Sequence, residues 1–202
     1  MSLIVKPIEE TFVSFNEYYA FIQDAYAERK RQGIHFVCTS LSVDELRDEI
    51  SSNNARIYLG FLSECPNEIA SSISVAYRYD DSEKYAWFHL VATNDKMKGK
   101  GVGTHMLHAM IDLAYKNGCS YVSLITAKKA ISAVRFYEKN GFFKVSRFRP
   151  FRGGYEGYSY RYQIVHPSKW DNPSYRKMIY ILNEPKRIFK LMITPIYRLI
   201  KD

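Results

Sequence analysis

The stretch Lys98-Gly99-Lys100-Gly101-Val102-Gly103-Thr104 decides the fold, because of what stands on either side of it. Before it, residues 85–93 are rich in aromatic and β-branched side chains and read as a strand. After it, Met106, Leu107, Met110, Ile111 and Ala114 recur at helical spacing over 104–117, and Gly118 supplies the stop. Closely spaced glycines let the main chain approach a ligand and point successive amide N–H groups into one concavity. The helix start adds unpaired donors and partial positive charge, and Lys98 and Lys100 strengthen the field. A phosphate or pyrophosphate group fits that chemistry; on these residues alone, a purely structural glycine turn is the alternative.

Two familiar phosphate loops are excluded. A P-loop needs four residues between a glycine and Gly-Lys-Ser/Thr, which Val102-Gly103-Thr104 does not complete. A dinucleotide fingerprint needs glycine at Thr104 and an early βαβ unit.

Working outward, residues 3–8 read as a short strand and 15–31 as a helix stopped by Gly33. Ser42-Val43-Asp44-Glu45 has capping-box spacing and opens a short helix to about Ser51. Three β-rich runs at 56–62, 69–79 and 85–93, joined by turn-like segments, predict an antiparallel meander. Beyond the glycine turn come a strand at 121–126, a helix at 130–139 ending near Gly141, a strand at 142–148 and a last alternating strand at 158–165. Strand–helix alternation through 85–148 predicts parallel pairing in that half.

The chain has 202 residues, 47% of them apolar and 25% charged, which fits one globular domain with an appendage. No apolar run approaches the roughly 18–20 residues of a membrane span, and the start lacks the features of a secretory signal, so a cytoplasmic protein is expected. Three cysteines, Cys38, Cys65 and Cys119, are too scattered for a disulfide framework or a metal cluster. The net charge of +8 favours anionic partners. From Lys169 onward there are eight basic and three acidic residues, and Ile188, Leu191, Met192, Leu199 and Ile200 fall near one helical face. The expected division is a domain over 1–166 and a basic amphipathic extension over 167–202. That extension either packs back on the domain or makes weak contact with an anionic membrane surface.

A second motif makes the first specific. Ala133-Val134-Arg135-Phe136-Tyr137-Glu138-Lys139-Asn140-Gly141-Phe142 resembles the A-x-x-(F/L)-Y-E-K-x-G-F motif of the GNAT acetyltransferase superfamily. Lys98-x-x-Gly101-x-Gly103 is similar to its Q/R-x-x-G-x-G/A signature, with lysine in the Q/R place. The resemblance covers roughly residues 3–165. It implies a mixed, mostly antiparallel twisted sheet of about seven strands flanked by four helices, an α/β fold, here with a C-terminal helical extension.

The resemblance also implies acetyl-CoA or another acyl-CoA as cosubstrate, without a metal. The pyrophosphate would lie on the main chain of Lys98, Gly99, Lys100, Gly101, Val102, Gly103 and Thr104, and the pantetheine arm along the backbone of Val91, Ala92 and Thr93, where two strands splay apart. Tyr137 would protonate the departing thiolate, a task suited to a phenol with pKa about 10; the alternative is a core tyrosine packed on Phe142. Where many members carry asparagine, seven residues before the tyrosine, this chain has Ala130. Ile125 and Trp87 stand where other members place a glutamate base.

The base is therefore unassigned. His89, with a pKa normally near neutrality, is the candidate terminus of a proton-carrying water chain, ahead of Glu83. His105 and His108 read as helix-surface residues. Arg147, Arg149, Arg152 and Arg161, interleaved with aromatic residues, either line an acceptor groove or form ordinary surface. The expected activity is direct acetyl transfer to a primary amine of a small, anionic molecule, with no nucleic-acid partner and with a homodimer as a compatible assembly. The alternatives are a protein N-acetyltransferase or a non-catalytic acyl-CoA-binding module on the same fold.

Overall fold

The computed structural model describes residues 2–80, 82–148, 156–166 and 168–183. Its strands are β1 (Leu3–Pro7), β2 (Arg56–Leu62), β3 (Cys65–Asp80), β4 (Glu83–Thr93), β5 (Tyr121–Ala127), β6 (Phe143–Phe148) and β7 (Gly157–Gln163). They form one sheet in the order β1-β2-β3-β4-β5-β7-β6. The helices are α1 (Phe15–Arg31), α2 (Val43–Ser52), α3 (Val102–Lys116), α4 (Ile131–Lys139) and α5 (Pro173–Leu182). The mixed, mostly antiparallel seven-stranded architecture is as expected.

The expected parallel half is corrected. Among the described residues, only β4 and β5 pair in parallel; β7 inserts between β5 and β6 and runs antiparallel to both. The crossover through α4 skips one sheet position, which the final hairpin fills. Strand–helix alternation reports the crossover but not the vacant position.

Local chemistry fixes the first two helices. Ser14 and Glu17 cap α1 reciprocally, as Ser42 and Glu45 cap α2, each cap contributing about 1 kcal/mol. Alternation along the strands then divides the core between two faces. On one face Ile73, Val75, Ala86, Phe88, Val122 and Leu124 pack under α3 and α4. On the other, Ile57, Leu59 and Phe61 pack under Tyr18 and Ile22 of α1 and Leu46 and Ile50 of α2.

Two irregularities shape the centre. The β3–β4 register shifts between Ser72 opposite Ala92 and Ser74 opposite His89, so β4 carries an extra residue there. Leu90 absorbs it at φ 50°, a left-handed conformation that costs a leucine about 1–2 kcal/mol. Beside the bulge, the β4–β5 ladder stops at Phe88–Leu124, although β4 runs on to Thr93 and β5 to Ala127. From there the two strands part.

At the far edge, Trp170 stacks on Phe143 at 5.9 Å, the Arg176 guanidinium lies 4.0 Å over the same ring, and Asn183 donates to the Val145 carbonyl at 3.4 Å. Residues 168–183 thus pack against β6. The apolar stripe of Ile188 to Ile200, with its membrane expectation, lies outside the described residues. Among the described residues, no helix is long and apolar enough to cross a membrane.

Candidate active site

The glycine turn closes the step from β4 to α3. Met97 and Val102 anchor it in a small apolar cluster with Leu62 and Ala70. Gly99 and Gly101 have φ of 78° and 81°, and Gly101 is the N-cap of α3. A Cβ on Gly103 would stand 3.0 Å from Thr93 Oγ1 and 3.6 Å from the Phe136 ring, so strand, turn and α4 meet there with no room for a side chain.

The amides of Gly99, Gly101, Val102, Gly103 and Thr104 take no acceptor among the described residues. Those of Lys98 and Lys100 bond back to Asp95 and Met97 at 3.2 and 3.3 Å. Five of these seven amides are thus without an acceptor among the described residues. Lys98 is held by Asp95 at 2.5 Å and Glu28 at 3.6 Å, so much of its charge is answered within the protein, while Lys100 stays exposed. A left-handed glycine N-cap with unpartnered first-turn amides fits a diphosphate.

Val91 packs toward the α3–α4 core and Ala92 is buried toward α1 and α2. Thr93 touches the Gly103 position. The Val91 carbonyl accepts a hydrogen bond from Tyr26 of α1 at 3.0 Å, a contact that had no sequence signal.

Tyr137 is 6% exposed on α4, its ring 5.3 Å from Phe136, 5.7 Å from Phe142 and 6.0 Å from Tyr160. It is packed as the core alternative required, and Phe136, its chain neighbour, reaches the glycine turn. Ala130 is fully buried and Ile125 is 43% exposed beside the parted strands.

His89 lies one residue before the bulge and opposite Ser74, which pairs with the Tyr18 hydroxyl at 3.4 Å. Its Nε2 is closed off without a partner. Burial, with the Arg78 charge second, pushes its pKa down to about 4, so the imidazole is neutral near pH 7. Its ring stacks on Trp87 at 4.6 Å, and the Arg78 guanidinium lies 4.6 Å over the indole.

Arg161 does not line an open groove. It is 5% exposed, bonded to Glu83 at 3.0 Å and held 3.4 Å over Tyr121 and 4.6 Å over Trp170. Arg147 pairs with Glu156; Arg149 and Arg152 lie outside the described residues. His105 Nδ1 contacts the Gly101 carbonyl at 2.9 Å, and His108 is exposed. Among the described residues, no group of three or more His, Cys, Asp or Glu side chains could hold a metal.

The family profile described as "Acetyltransferase (GNAT) family" matches residues 15–142. Among solved structures, the fold is similar to a chain of the NatC complex bound to Gag peptide and CoA, with TM-score 0.63 and 16% identity over 82% of this chain and 100% of that one. It is similar to the ribosomal-protein-S18-alanine N-acetyltransferase from Escherichia coli, with TM-score 0.60 and 16% identity over 83% and 97%. It is also similar to a GNAT family acetyltransferase from Elizabethkingia anophelis with acetyl-CoA bound, with TM-score 0.58 and 16% identity over 80% and 98%. A comparison with curated proteins gives no match.

Proposed function

Because the chain belongs to the acetyltransferase (GNAT) family, we propose that it transfers the acetyl group of acetyl-CoA directly to a primary amine of a small molecule. One observation carries this reading: five unpartnered amides at the start of α3 stand at the end of a strand that has just parted from its neighbour. Fold neighbours hold CoA and acetyl-CoA, and the same cosubstrate suits this cradle.

Acetyl-CoA, when bound, supplies the acyl thioester. The amides of Gly99 and Gly101 to Thr104 receive its diphosphate charge, and the main chain of Val91 to Thr93 lines the pantetheine path. Tyr137 holds a proton at its phenol oxygen and gives it to the leaving sulfur. At neutral pH an ordinary phenol, with pKa about 10, carries that proton, and such help contributes about 10²–10⁴-fold.

His89 stands neutral with its Nε2 closed off, which weighs against it as the terminus of a water chain. With a pKa near 4 it is a weak base, so holding amine and thioester together contributes more than proton removal. Direct attack is favoured over an acyl-cysteine. Cys38 is buried with its thiol pushed up to about 12, Cys119 is buried, and Cys65 lies at the start of β3 on the β2–β3 hairpin.

The test is a thiol-release screen of amine libraries with acetyl-CoA. Release with at least one amine supports the proposal. Tight CoA binding with no release for any amine supports the non-catalytic module instead.

A further inference from the structure

On the face of the sheet that carries α1 and α2, cross-strand neighbours form one row: Ala76, Trp87, Ser123, Arg161 and Phe143. Ser123 is its partly open centre. One strand position further on lies exposed Ile125, beside the parting of β4 and β5. A guanidinium stands on each side of this floor, and the two differ. Arg161 is neutralised by Glu83 and enclosed by Tyr121 and Trp170.

Arg78 is bonded to no charged group among the described residues. Its Nη2 donates to the neutral Asn53 Oδ1 at 2.5 Å, its Nε is closed off without an acceptor, and no carboxylate pairs with it among the described residues. Among the described residues, the Asn53 oxygen and the face of Trp87 are what answer its charge. A partly buried charge without a counter-ion is costly, and its field reaches His89 at the far end of the Arg78–Trp87–His89 stack. The floor residues Ser123, Ile125 and Ser159 bring no opposing charge.

We propose that the acceptor amine carries a carboxylate or phosphate group, which Arg78 receives beside Trp87 while the amine lies at the parting of β4 and β5. The proposal rests on the acetyl-transfer reading for the amine end; the anion site itself does not depend on turnover. Polyamines, which bring further positive charge to the same wall, are disfavoured acceptors.

The test compares matched acceptors by thiol release: amino acids against their carboxamides, and aminoalkyl phosphates against the corresponding amino alcohols. Hydrogen bonds to charged groups contribute about 1.5–3 kcal/mol, so the parent should favour the anionic member by about 10–100-fold in kcat/KM. Arg78→Gln should bring that ratio near unity, and Arg78→Lys should restore part of it. Whichever pair shows the larger ratio identifies the anion. Equal ratios in parent and Arg78→Gln, equal loss for both members, or a parental preference for neutral amines or polyamines overturns the proposal.

A second measurement needs no turnover. The chain has two tryptophans, so Trp170→Phe leaves Trp87 as the only indole emitter. Its fluorescence should change saturably with the same carboxylates or phosphates, and not when Arg78→Gln is added. A flat titration in the Trp170→Phe protein overturns the site, even if amines are acetylated. A saturable one upholds it even if none is.

Discussion

The hydroxyl of Tyr26, on α1, donates to the main-chain carbonyl of Val91, on β4, at 3.0 Å. The tyrosine ring is braced edge-on by Phe36 at 5.2 Å, so helix and loop together hold the strand one residue past the Leu90 bulge. That carbonyl belongs to the stretch proposed to line the pantetheine. Tyr26 is thus a positioning residue, fixing the peptide plane where β4 is no longer tied to β5.

Tyr26→Phe removes the donor and keeps the ring. With about 0.5–1.5 kcal/mol in a typical hydrogen bond, the Kd for CoA should rise about 2–10-fold, with a smaller effect on kcat. Isothermal titration with CoA checks this. Tighter binding would mean that the hydroxyl competes with the ligand for the carbonyl.

The glycine turn gives a sharper steric test. Gly103→Ala puts a methyl group 3.0 Å from Thr93 Oγ1, so CoA affinity should fall by about tenfold, the equivalent of about 1.4 kcal/mol. Thr93→Ala in the same chain removes the obstructing oxygen and should restore most of the loss. Failure of the second change to rescue would place the defect elsewhere.

Tyr137→Phe keeps the packing on Phe142 and Tyr160 and removes the proton. The expected outcome is a fall in kcat of about 10²–10⁴-fold with the Kd for CoA within about twofold of the parent. Unchanged kcat would reduce Tyr137 to a core residue.

His89 makes stability depend on pH with a definite sign. Its folded pKa lies near 4, below the ordinary 6.5, so between those values the unfolded chain binds more protons and acid destabilises the fold. The His89 contribution is complete above about pH 7 and is lost as pH falls toward 4. Denaturant unfolding at pH 7 and pH 5 should differ by about 2 kcal/mol more in the parent than in His89→Gln. Equal differences in the two proteins would contradict the buried neutral imidazole.

Much of this was legible in the sequence, and the long-range misses share a cause. Gly99 and Gly101 form the turn that their spacing suggested, with left-handed backbones, and Ser42 caps α2 where the pattern put it, whereas the matching Ser14 cap of α1 was missed. α3 starts at Val102 rather than Thr104, because its left-handed N-cap is Gly101 and the helix follows it directly. The Leu90 bulge was invisible, since leucine gives no local sign of a positive φ that only the neighbouring strands enforce. The β7 insertion, the Arg161–Glu83 pair and the Arg78–Trp87–His89 stack join residues far apart in the chain. Periodicity reports which face a residue occupies, not which distant partner it meets there.

The most direct measurement is a backbone-amide NMR titration of the full chain with CoA. The account predicts that the largest shifts fall on Gly99, Gly101, Val102, Gly103 and Thr104, with Val91 to Thr93 following. Saturable CoA binding that leaves those five amides unmoved, or no CoA binding at all, would contradict it.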